Sequence, residues 1–512
     1  MVAVMKRLSL KFVVRCSRLW LGLGLLGIPL GGWSTHTPIH PIHVHAIHAK
    51  VSGSIKPPVR AKSPTSLSQG IRDVLQSVKS NPHIGIMIRS AQTNEVIFSQ
   101  QASHLFTPAS VLKLFTAVAA LQYLGPHFRF STQLLSDGHI HHEVLTGNLV
   151  IRFSGDPALT YHHIDELIGQ LAALGVRRIL GSVDIDNSVY GSVPYPPGWI
   201  WDDLSYSYAA PLSAIVLDSN KFSIHLIPAS IAGQHPQLSS SVAPGIVQWI
   251  NQAVTTATYQ KKCPLTIYSD AHNHYRLSGC LNKNLGPQHR TLALRNPMPY
   301  AKWVIRTALQ NNHIAYQGPI RIRASHSHAT VLATHESVPL AKMLKRMLKK
   351  SDNLIANSLF KKLGASYYQQ SGTWKNGADA LKEILKPTRI AFKENLIDDG
   401  AGLSHYNLIT PDQLTQLLYY AYHQPAIRAV LMETLPIAGK DGTLVGRMRL
   451  INHGEEVRAK TGSMSGVSTL AGYIYTRRHG VLIFAIMINQ FVGKNRPFTH
   501  LEDRVCQWVA HY

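Results

Sequence analysis

Long apolar runs are scarce in this 512-residue chain. The only prominent one, Leu19 to Trp33, is broken by glycines and Pro29 and falls short of the roughly 20 residues a spanning helix needs. Lys6, Arg7, Lys11, Arg15 and Arg18 precede it, so the segment reads as the core of a signal peptide, cut after Ala46 or Ala49, or as an uncleaved anchor. Either way the chain is expected to be exported. Cysteine is also rare, with four residues in all. Cys16 belongs to the export segment, Cys263 and Cys280 lie close together among short strands and are a candidate disulfide, and Cys506 reads as a buried apolar residue of a C-terminal helix. Between Thr35 and Ala49 stand His36, His40, His43, His45 and His48, but no Cys or carboxylate joins them. Nothing fixes a ligand geometry there, so neither a metal nor a cofactor is expected.

Acidic residues are few as well: 27 Asp and Glu against 51 Lys and Arg give a formal net charge of +24. Such a surplus suits nucleic acid, an anionic membrane surface or an acidic polymer. No nucleic-acid motif accompanies it, and the cations are scattered rather than interleaved with aromatics, so no nucleic-acid partner is expected. Peripheral contact with the membrane fits an exported basic protein better, beside the plain alternative of a solvated basic surface.

With 45% hydrophobic and 15% charged residues, the chain can bury a large core, and its length suggests about three domains. Chemistry concentrates at Thr107-Pro108-Ala109-Ser110-Val111-Leu112-Lys113, where an apolar, helix-forming run begins and continues to Leu124 before Gly125-Pro126 stops it. Residues three apart share a helix face, which places the Ser110 hydroxyl beside the Lys113 amine. Alone the pattern is weak, since a Ser-x-x-Lys arises about twice by chance in a chain this long. Ser351-Asp352-Asn353 and Lys460-Thr461-Gly462 follow, in the order that accompanies an active-site Ser-x-x-Lys in penicillin-binding proteins and class A β-lactamases.

The three motifs divide one reaction. Ser110 is the nucleophile, and Lys113 is the base that must be neutral to take its proton, through burial and a second cation at Lys460. Ser351 passes a proton between Lys113 and the leaving group, and the Asn353 amide holds the substrate backbone. Lys460 and Thr461, on an edge strand, receive a terminal carboxylate, and Gly462 leaves room for a peptide that adds as a further strand. The backbone N–H groups of Ser110 and Ser463 form the oxyanion hole.

These motifs, with Gly155-Asp156-Pro157, Asp399-Gly400-Ala401-Gly402-Leu403-Ser404 and the stretch from Leu435 to Leu444, resemble the class C low-molecular-mass penicillin-binding proteins, the D-alanyl-D-alanine carboxypeptidase/endopeptidases, across nearly all of residues 70–510. The resemblance implies an α/β fold: a transpeptidase-like serine hydrolase domain, an antiparallel sheet flanked by helices, split by a long strand-rich insertion. The expected division is an export region at 1–49, a flexible linker at 50–69, the first part of the hydrolase domain at 70–125, the insertion at 126–334 with a nested strand-rich part near 219–296, and the second part of the hydrolase domain at 335–512. The resemblance further implies a periplasmic enzyme that acts on peptidoglycan stem peptides or cross-links and is acylated by β-lactams. A β-lactamase is the nearest alternative, but the Glu-x-x-Leu-Asn loop that class A enzymes use to deacylate is missing after Asn353. A non-catalytic envelope-binding protein with the same fold is the other.

Overall fold

The computed structural model describes residues 66–76, 81–325, 328–449 and 454–512. The export segment, its histidines and most of the expected linker lie outside the described residues. The helix Leu67–Gln76 begins inside the stretch read as linker, because Leu67 and Ile71 bury themselves against the C-terminal helix Arg496–His511.

A five-stranded antiparallel sheet organises the site. Its order is Val96–Gln100, His83–Ser90, Val481–Asn489, Val467–Tyr475 and Glu456–Met464. The first hairpin therefore pairs with the last strands of the chain, with Ile86 opposite Ile486. All nine residues of Val481–Asn489 are buried, which requires cover on both faces of the sheet. Leu67–Gln76 and Arg496–His511 pack on one face through Ile71, Leu501 and Val505. On the other face Pro411–His423 meets the sheet, with Lys113–Leu124 packed behind it. Lys113–Leu124 is apolar nearly all round, and its residues from Lys113 to Leu121 are buried, as such a helix must be.

Between Leu124 and the helix Leu340–Lys350 the chain builds separate sheets. A mixed five-stranded sheet runs Ile320–Ile322, Val183–Asp186, Leu149–Arg152, Ser131–Ser136 and Thr330–Glu336. Two three-stranded sheets follow, one centred on Lys221–Ile227 and one on His274–Ser278. The helices Tyr161–Ala173 and Met298–Asn311 pack on each other. Cys263 and Cys280 form a disulfide, and Cys506 is a buried free thiol. Among the described residues no helix is long and apolar enough to cross a membrane.

Candidate active site

Ser110 stands in a tight turn, Ala109–Leu112, of 3-10 geometry, and the α-helix starts only at Lys113. The sequence expectation of one continuous helix is corrected here: Ala109 takes a left-handed φ of 47°, so the chain enters as a sharp turn that lifts Ser110 to the surface of the cleft. Ser110 stays partly exposed while Lys113 is completely buried.

The Lys113 amine has three partners: Ser110 Oγ at 2.8 Å, Asn353 Oδ1 at 2.7 Å and the Ala401 carbonyl at 2.6 Å. Asn353 is oriented by its own Nδ2, which donates to the Tyr208 carbonyl at 2.8 Å. Two of the three partners of Lys113 can therefore only accept, and only Ser110 has a proton to give. An ammonium can donate to all three, and a neutral amine, with two N–H groups and one lone pair, can keep both obligate acceptors and take the serine proton. In the neutral form the lone pair would face the serine hydroxyl. Burial lowers the Lys113 pKa to about 7, against the opposing charges of Asp399 and Asp352. Of the two causes expected, burial and a second cation at Lys460, burial accounts for this shift. The like-charge effect falls on Lys460, whose pKa lies well below its usual value because of burial first and Lys113 second.

Lys460 is also fully buried and donates to Ser351 Oγ at 2.9 Å and to the Thr461 carbonyl at 2.6 Å. Ser351 caps the helix Leu340–Lys350 with a left-handed φ of 57°, and Asp352 caps the next helix through the Leu354 and Ile355 N–H groups. That pair of caps turns the chain so that Ser351 and Asn353 reach the same cleft. The lysine hydrogen-bonded to Ser351 is Lys460.

Lys460, Thr461, Gly462 and Ser463 lie on the outer strand of the sheet, as read from the sequence. The Thr461 hydroxyl donates to Thr443 Oγ1 at 2.8 Å. Gly462 also has a packing reason. A Cβ there would lie 2.1 Å from Thr469 Oγ1 and 2.9 Å from both the Pro108 carbonyl and the Ser110 nitrogen. The missing side chain lets the strand press against the nucleophile turn. Ser463 is exposed, and its hydroxyl accepts from Asn495 Nδ2.

Several contributors were given no role in the sequence reading. Asp399 is buried and accepts hydrogen bonds from the backbone N–H groups of Ala401, Gly402, Leu403 and Ser404, from Asn407 Nδ2 and from Trp199 Nε1. Its carboxylate thus winds the loop that presents the Ala401 carbonyl to Lys113. Gly402 sits at φ 76°, where a Cβ would meet the Ala109 carbonyl at 1.9 Å, so this loop braces the nucleophile turn from the other side. A cavity of about 340 Å³ opens above Ser110, lined also by Ser351, Asn353, Leu403, His405, Ser463 and Met464, and by Ile200, Asp203 and Tyr208 of the long insert. The Tyr208 hydroxyl donates to Asp203 at 2.6 Å. The stretch quoted as Asp399 to Ser404 was the one available signal for the loop; nothing local marked Trp199, Asp203 or Tyr208.

A partly exposed serine paired with a buried lysine, beside a Ser–x–Asn bend and an outer Lys-Thr-Gly strand, defines a serine hydrolase of the penicillin-binding fold. The comparisons narrow the class. Residues 67–511 match the D-Ala-D-Ala carboxypeptidase 3 (S13) family, and the chain belongs to it. It is 34% identical over 442 residues to D-alanyl-D-alanine carboxypeptidase DacB of Haemophilus influenzae, covering 86% of this chain and 92% of that protein. It is 29% identical to the D-alanyl-D-alanine carboxypeptidase of Actinomadura sp. strain R39, covering 86% of this chain and 85% of that protein. Among solved structures, penicillin binding protein 4 (dacB) from Haemophilus influenzae superposes with a TM-score of 0.79 at 32% identity, over 86% of this chain and 99% of that one. The same protein complexed with a β-lactam superposes with a TM-score of 0.75 at 31% identity, over 86% of this chain and 100% of that one.

Proposed function

We propose that the chain is a periplasmic serine-type D-alanyl-D-alanine carboxypeptidase that acts on peptidoglycan stem peptides through an acyl-enzyme on Ser110, and that cuts cross-links ending in the same bond. The observation that carries this reading is the Lys113 amine at 2.8 Å from Ser110 Oγ, with two obligate acceptors taking its N–H groups. Ser110 Oγ attacks the penultimate D-Ala carbonyl as Lys113 takes its proton. The oxyanion forms against the Ser110 and Ser463 backbone N–H groups, where losing one such donor costs about 3 kcal/mol. Ser351 then protonates the departing amine and is resupplied by Lys460, the lysine already bonded to it; water next attacks the Ser110 ester, one of its protons passing through Ser351 back to Lys460 while Lys113 returns its proton to Ser110 Oγ. The peptide lies along the outer strand Glu456–Met464, with its terminal carboxylate toward Lys460 and Thr461. Asn353 acts mainly by holding Lys113, in addition to the substrate contact expected of it.

β-Lactams enter the same path as acylating inhibitors. Residues 126–334 serve as an insertion that brings Asp203 and Tyr208 to the cleft, where Asp203 offers a carboxylate to a cationic substrate side chain. Digestion of purified muropeptides tests the proposal by the masses released. Loss of one alanine from pentapeptides supports carboxypeptidase action, dimers falling to monomers supports endopeptidase action, and unchanged substrates would refute both.

A further inference from the structure

We infer that Trp201 and the outer face of the small sheet Gln248–Asn251, His274–Ser278 and Thr266–Ser269 form a shelf that holds the glycan strand carrying the substrate peptide. The inference rests on the proposed function. The short turn Trp201–Asp203 divides its side chains between two directions. Ile200 and Asp203 line the cavity above Ser110, while Trp201 between them stands 59% exposed. Its ring lies 6.1 Å from that of Tyr268, itself 44% exposed, with the planes inclined by 35°.

Register extends the surface away from the cleft. Tyr268 is paired with Arg276 across the antiparallel strands, and Arg276 with Ile250 across the parallel ones. All three side chains are exposed, Ile250 by 50%, so Trp201, Tyr268, Arg276 and Ile250 make one row that starts at the cavity. Large rings left in water next to a binding cleft favour a ligand that covers them. The C–H face of a pyranose packs flat on such a ring, and its hydroxyl and acetamido oxygens accept from a guanidinium.

The shelf is also rigid. Ser205 and Ser269, both buried, share a hydrogen bond of 2.9 Å directly behind Trp201 and Tyr268, and Arg295 donates to the Ser269 carbonyl at 2.8 Å. Ordering these rings on binding therefore costs little, as in other preformed sites. A stem peptide in the cleft is tethered to its sugar, and Trp201 stands between two residues that line that cleft.

The test compares free pentapeptide with the same pentapeptide on its disaccharide and on a longer glycan, for the full-length wild type, Trp201→Ala and Tyr268→Ala. The expected result is a kcat/KM lowered roughly three- to tenfold on the glycan-linked substrates, mostly through KM, with the free peptide unchanged. Arg276→Ala is a second surface variant that removes no ring and should show the same selectivity. Equal effects on both substrates, or none on either, would overturn the inference. So would a change in self-association by ultracentrifugation without a change on glycan-linked substrate, which would mark a protein contact instead. If the wild type cleaves neither substrate, the functional proposal itself falls and the shelf with it.

Discussion

Replacing Lys113 by Arg keeps a cation three residues from Ser110 but removes the ability to become neutral, since a guanidinium does not deprotonate in proteins. The size of the effect follows from burial. Lys113 is fully buried and its pKa falls from 10.5 to about 7. An ordinary lysine at neutral pH has only about one amine in several thousand uncharged, whereas one titrating near 7 has about half; the gain in active base is on the order of 10³. The sign follows too. The proton acceptor is the neutral form, so acylation climbs as pH rises through about 7 and levels off above it. Asp399 and Asp352 pull the other way, keeping the midpoint from falling further. The assay is the second-order rate of labelling by a fluorescent penicillin from about pH 5 to about pH 9. Lys113→Arg is expected to lose about 10³ in that rate and to lose the rising limb. A wild-type rate that is flat across the range, or an Arg variant within about tenfold of wild type, would refute the reasoning.

Two further perturbations act on the brace around Ser110. Asp399→Ala leaves four backbone N–H groups and two side-chain donors without their acceptor, at about 1–3 kcal/mol for each donor that stays buried. It should lower the melting temperature by several degrees and reduce penicillin labelling, and a variant as stable and as reactive as wild type would contradict the role assigned to the loop. Gly402→Ala places a methyl 1.9 Å from the Ala109 carbonyl at a left-handed φ, so the nucleophile turn must shift. Labelling should fall on the order of a hundredfold while circular dichroism stays native, and an unchanged rate would show that the turn tolerates displacement.

The parts legible in the sequence were those whose signal is local. Ser110 and Lys113 are three residues apart, the Ser351–Asn353 bend is written in consecutive caps, and the apolar runs Thr469–Thr476 and Val481–Asn489, parted by a polar turn, mark two paired strands. The parts that escaped are long-range. Trp199 meets Asp399 across 200 residues, and Asn353 meets the Tyr208 carbonyl across 145, so no spacing rule ties either pair together. The packing role of Gly462 escaped for a related reason. A glycine in a binding motif suggests an open approach, yet the atoms filling its Cβ position come from Thr469 and from the turn at Pro108. How the shift divides between the two lysines was not legible, because burial depth, unlike charge, cannot be counted along a chain: both amines are sealed, and carboxylates oppose the shift at Lys113 but not at Lys460.

The most direct measurement is the mass of the full-length protein and of its proteolytic peptides after incubation with benzylpenicillin. One adduct per chain, on the peptide carrying Ser110 and absent from Ser110→Ala, is the result expected of a hydroxyl activated by the amine beside it. An adduct on another residue, or cleavage of pentapeptide by a protein that never acquires one, would contradict the acyl-enzyme at Ser110.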